Sequence, residues 1–197
     1  MFGRLVVLIA MVLFGPLYIE IYLYHPAIVR EHDVAAVVPL VAAPLGLFGG
    51  FVLLAIDNRV TAALFALICA FEIAVGVVGA GIHIAMHANT LASLVGDPNA
   101  WFGEPPPLVP LSFAASGCLG LIALAMSRKL DESPLAIARI LEALAAACGL
   151  AATIAAALPG ADGIGLIASL AALGLGSIGF AAEFAVFGYA LWRGRAA

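Results

Sequence analysis

Between Glu72 and Thr90 the chain reads EIAVGVVGAGIHIAMHANT. A carboxylate, two imidazoles and three glycines interrupt a run otherwise apolar enough to cross a bilayer. At about 100° per residue, Glu72, Gly76, Gly79, His83, His87 and Thr90 fall within an arc of about 80° on one helical face. Elsewhere this run shows Leu, Ile, Val and Phe. A face of small and polar residues belongs against protein, because an ionisable group turned to hydrocarbon costs several kcal/mol.

His83 and His87 stand at i and i+4, so both imidazoles point to the same side. Imidazole pairs of this kind suit copper, zinc or iron. Glu72 lies eleven residues before His83, about 16 Å along the axis, and cannot share an ion with it. The first apolar run brings a second set: Glu20 near its end, then His25, His32 and Asp33. Two layers are expected from these residues. The upper layer is His83 and His87 with His25 or His32, and Glu20 in reach to complete the shell; the soft sulfur of Met86 favours copper. The lower layer is Glu20 and Glu72, which would orient the imidazoles, complete a second metal position or relay protons. A transition metal, copper first and then zinc or iron, is the expected cofactor. Haem b held axially between His25 and His83 is the alternative.

These residues need helices across a membrane to position them. The chain has 197 residues, 65% of them hydrophobic and only 10% charged. A soluble domain carries about a quarter charged residues, and too little polar surface is present here to keep the chain in water. Apolar runs recur at Leu5–Tyr24, Val34–Ile56, Val60–Ala88, Leu108–Met126, Pro134–Leu158 and Gly163–Trp192. Each approaches or exceeds the 20 or so residues that span hydrocarbon, and all are too long and evenly apolar for barrel strands. The expected fold is all-α: one integral membrane domain over residues 1–197, a bundle of about six transmembrane helices. Arg4 and the apolar run behind it resemble a signal peptide, but no A-x-A-like site follows, so the run reads as a retained first span.

The separators are HPAIVREHD, the tight DNR turn at Asp57–Arg59, a loop around GDPNAWFGEPPP, then RKLDESP and PGADG. Ser133 and Pro134 read as the N-cap and first position of the fifth helix. Pro16, Pro39 and Pro44 are expected to kink the first two helices. Small residues four apart, at Gly46 and Gly50, Gly76 and Ala80, and Ala172 and Gly176, predict close helix packing.

Orientation follows from Lys and Arg. With the sides numbered alternately, one holds Arg4, Arg59, Arg128, Lys129, Arg139, Arg193 and Arg195; the other holds only Arg30. The positive-inside rule places both termini in the cytoplasm. The His layer then faces outward, with the inner (plasma) membrane of a bacterium as the expected location. Trp101 and Phe102 fall in the outer loop, and Trp192 marks the inner boundary.

Deeper toward the inner side, Arg139 and Glu142 at i and i+3, with Glu183, predict a buried Arg139–Glu142–Glu183 network. Cys69, Cys118 and Cys148 each lie inside an apolar run and read as small buried residues. Eight scattered Lys and Arg make no basic face for nucleic acid. No G-x-S-x-G elbow, phosphate-binding glycine loop or H-E-x-x-H is present. Whether the chain is an enzyme stays open. Besides metal handling or a membrane redox centre, the residues admit a small metal-ion or proton transporter, and a structural or assembly subunit of a larger membrane complex.

Overall fold

A computed structural model describes residues 2–24, 34–86, 108–126 and 135–195. They form six helices: α1 Phe2–Tyr24, α2 Val34–Ala55, α3 Arg59–Met86, α4 Leu108–Met126, α5 Ala136–Ala156 and α6 Asp162–Arg195. All six are long and apolar enough to cross a membrane. The ends lie within a few residues of the apolar runs, because the same Pro, Gly and charged residues that interrupt hydropathy also stop helices. α1 and α2 continue through Pro16, Pro39 and Pro44 without interruption.

Helix starts obey local chemistry. Asn58 caps α3: its Oδ1 accepts hydrogen bonds from the Val60 and Thr61 amides at 2.8 and 3.0 Å. Thr61 Oγ1 accepts in return from the Asn58 amide at 3.1 Å. This reciprocal cap satisfies N–H groups that a helix start leaves without partners. α5 departs from expectation. Its N-cap is Leu135, extended at φ −114° and ψ 116° with no side-chain cap, and the helix starts at Ala136. Ser133 and Pro134 lie outside the described residues. Between α5 and α6, Gly160 turns the chain at φ 77°, a conformation open to a residue without Cβ.

α2 is the most buried of the six helices. It packs on α1, α3, α5 and α6; α3 pairs with α4, and α5 with α6. Glycine permits this density. A Cβ on Gly46 would fall into the Phe14 ring of α1, one on Gly149 within 2.8 Å of the Phe48 amide, and one on Gly176 into the Phe51 ring. Leu40, Leu47, Phe51, Leu53 and Leu54 of α2 meet Met11, Phe14 and Tyr18 of α1 in the core. The outward faces carry exposed Ile, Leu, Val and Phe on every helix. With no water-facing polar shell, that surface suits lipid.

α6 is longer than its neighbours need. Gly163 lies beside Tyr22 near the end of α1, and Glu183 beside Arg4 at its start. The twelve residues after Glu183 continue for about 18 Å beyond that point. Phe184, Phe187, Tyr189, Leu191 and Trp192 of this extension are all exposed.

Candidate functional site

The inward stripe of α3 is present where its residues are described. Phe65, Ile68, Cys69, Glu72, Gly76 and Ala80 are buried, while Leu67, Val77, Val78 and Ile82 are exposed. Ile68 meets Gly49 of α2, whereas Cys69 and Gly76 meet α4. Glu72 sits between these two directions on the helix wheel, so it points into the bundle between α2 and α4. Around it the backbones of α3 and α4 touch. A Cβ on Gly76 would lie 2.5 Å from the Ala114 amide nitrogen and 2.7 Å from the Pro110 carbonyl. One on Gly117 would lie 2.5 Å from the Cys69 carbonyl.

Glu72 is 0% exposed, and neither carboxyl oxygen has a hydrogen-bond partner among the described residues. Nothing on the packed neighbours supplies a charge: α2 and α4 contain no Asp, Glu, Lys, Arg or His. Helix register sets Ser116 of α4 near the level of Glu72, since Gly76 faces Pro110 and Ala114 and Gly117 faces Cys69 and Ile73. The buried Ser116 hydroxyl donates to the Ser112 carbonyl at 2.9 Å, and the Ser112 hydroxyl donates to the Val109 carbonyl. Cys69, one turn below Glu72, is buried; Cys118 turns outward, and Cys148 is half-buried. A buried polar group without a partner costs free energy on the kcal/mol scale, and a buried bare charge costs far more. Among the described residues, only Ser169 shares this condition with Glu72, and Glu72 is the carboxyl group that the fold leaves unfinished.

The other expected ligands divide. His83 lies half-buried on the same stripe, about 16 Å beyond Glu72. Glu20 is half-buried on α1. Phe14 meets Gly46, and Ile68 meets Gly49, so Glu72 is level with about residue 15 of α1. Glu20 then stands about five residues, roughly 8 Å, further along than Glu72. Met86 ends α3. His25, His32 and His87 lie outside the described residues, as do Asp33 and Thr90. Among the described residues, no three His, Cys, Asp or Glu side chains come together as a metal site.

The inner charged network exists with a different cation. Arg4 holds Glu142 and Glu183 by hydrogen bonds, while Arg139 acts on Glu142 through its charge. Arg4 Nη2 donates to both oxygens of Glu142 at 2.8 and 2.9 Å. The same nitrogen donates to Glu183 Oε1 at 2.9 Å, and Nε to Glu183 Oε2 at 3.0 Å. Nη1 donates to the Leu54 carbonyl at 2.8 Å, where the end of α2 leaves acceptors free. Arg4 is 3% exposed, Glu142 0% and Glu183 1%. Arg139 is exposed, because it stands about 60° round α5 from Glu142. A planar fork with five donors is what such a crowded acceptor set needs. No local signal in the sequence marks this role, since Arg4 precedes its apolar run as a headgroup arginine does.

No protein-family model matches the chain, and neither a curated protein nor a solved structure matches it.

Proposed function

We propose that this chain is a multi-pass membrane protein that handles cations along the inward stripe of α3. A transition metal ion, copper before zinc or iron, would bind at the end of α3 that carries His83, with His87 following Met86 in the sequence as a second ligand. His25 or His32, and Glu20, would complete its shell, and the ion would serve metal handling or a membrane redox centre. The observation that carries the reading is the inward turn of two ionisable groups, Glu72 and His83, on an otherwise apolar helix. Such groups inside a bundle mark ion or proton sites by default.

The unfinished valence of Glu72 favours a second reading, a small metal-ion or proton transporter that uses this carboxyl inside the membrane. The Lys and Arg distribution supports cytoplasmic termini and an extracytoplasmic His layer. Arg4 is buried in its cluster, but Arg59, Arg128, Lys129, Arg139, Arg193 and Arg195 still stand against Arg30 alone.

The test is metal content and visible absorbance of detergent-purified protein beside a His83→Ala, His87→Ala variant. Near-stoichiometric metal that is lost in the variant supports the site and names the ion. A Soret band would move the reading to haem. If neither appears, and added copper, zinc and iron all fail to bind, the metal reading is wrong. An assembly subunit of a larger complex is then the better description.

A further inference from the structure

Glu72 and the His-bearing end of α3 do not take the same cation. We infer that the occupant of Glu72 is a proton: the side chain is a neutral carboxylic acid, a proton station inside the membrane, separate from any metal above it. This deepens the transport reading by naming what its carboxyl carries, and it does not depend on the metal reading.

Three observations carry it. First, the charge count around Glu72 admits one positive charge. The helices packed on α3 are α2 and α4, and neither holds a charged or imidazole side chain. Among the described residues, the titratable groups near this level are the thiol of Cys69 one turn below and, on α1, Glu20 roughly 8 Å further along. Cys118 on α4 is turned outward. A divalent ion on a single carboxylate would leave a net positive charge in low dielectric. Second, oxygen ligands are lacking among the described residues. Ca²⁺ takes six to eight and Mg²⁺ six, most of them from carboxylates, carbonyls and water. The nearest side-chain hydroxyl by register, Ser116, would add one oxygen to the carboxylate, far short of six. Third, on the α4 side of Glu72 space is lacking. The backbones meet at Gly76, one turn past Glu72, and again at Cys69, one turn before it, so a hydrated ion has no room in that seam. A proton needs neither volume nor a ligand shell, and it removes the charge that burial penalises most.

A hydrophobic carbodiimide provides the test. It reaches carboxyl groups from within the bilayer and reacts with the acid form. The acid proton moves to one nitrogen as the carboxyl oxygen adds to the central carbon. Acyl migration to the other nitrogen then gives an N-acylurea carrying the whole mass of the reagent. Carboxylates in water at neutral pH are ionised and react poorly. The full-length protein in liposomes is treated at pH 7, and adducts are mapped by peptide mass spectrometry. A Cys69→Ser variant excludes the neighbouring thiol as acceptor. The expected result is an adduct at Glu72 in both proteins, undiminished by copper, zinc or calcium. Absence of an adduct at Glu72 in folded protein, with labelling after unfolding in acid, would overturn the proposal. Protection by a metal ion would overturn it as well, in favour of a metal at Glu72. Because the native chain is mapped directly, the result does not hinge on a Glu72→Gln variant folding. Failure here leaves the metal content of the His layer unaffected, so the two readings fail separately.

Discussion

Nη2 of Arg4 lies 2.8 Å from Oε1 of Glu142 and 2.9 Å from Oε1 of Glu183. One nitrogen thus ties the first helix of the chain to its last two, across 138 and 179 residues of sequence. Removing one partner of such a buried set leaves uncompensated charge. Arg4→Ala is expected to destabilise the protein by about 3–5 kcal/mol. Arg139→Ala, at an exposed position, is expected to change stability by no more than about 1 kcal/mol. Thermal unfolding of both variants in one detergent compares them. Equal losses would mean that Arg139 holds the carboxylates as firmly as Arg4 does. Arg4→Lys is expected to recover only part of the loss, because an ammonium lacks the planar fork that reaches two carboxylates and a carbonyl together.

Gly76 and Gly174 separate two uses of glycine. At Gly76 a Cβ meets backbone atoms of α4, which cannot rotate away, so Gly76→Ala should cost about 1–3 kcal/mol by overpacking. Gly174 has nothing within 4 Å of its added Cβ. Gly174→Ala should be neutral, or stabilising by up to about 1 kcal/mol through helix propensity. The ordering of the two melting temperatures is the readout, and a reversed order would show that α3 and α4 are not in backbone contact.

The start of α3 offers a local check. Asn58→Ala deletes the acceptor for the Val60 and Thr61 amides and should cost about 1 kcal/mol. Asn58→Asp keeps that acceptor and should stay close to the parent. Denaturant or thermal unfolding distinguishes them.

Orientation can be read chemically. Asp57 lies exposed in the turn between α2 and α3. In a chain with Cys69, Cys118 and Cys148 replaced by serine or alanine, Asp57→Cys should resist a membrane-impermeant maleimide in intact cells. It should react after the membrane is opened. Reaction in intact cells would invert the topology and place the His layer on the cytoplasmic side.

The six helices were legible because hydropathy is a local property and each run ends in residues that also end helices. The inward stripe of α3 was legible for the same reason: Glu72, Gly76 and His83 share a face by spacing alone, and that face is turned to protein. Arg4 was not. An arginine ahead of an apolar run ordinarily rests among headgroups, and nothing local distinguishes one that folds inward to meet residues far along the chain. Spacing also favoured Arg139 for Glu142, but two residues at i and i+3 differ by about 60° in direction, enough to put one inside and the other out. The unfinished carboxyl of Glu72 was likewise invisible, since it depends on what α2 and α4 fail to provide.

The depth of Glu72 is electrical as well as spatial. It lies about 20 Å from Arg59 along a helix of about 42 Å. A unit charge delivered there from either aqueous face crosses roughly half of the membrane potential, about 1 kcal/mol for each 100 mV. In an energised membrane, a positive charge entering from the positive side would be driven onto Glu72, and one entering from the negative side would be held back. If Glu72 is the proton station proposed above, its protonation would report voltage as well as pH, with a sign set by the side to which it is connected.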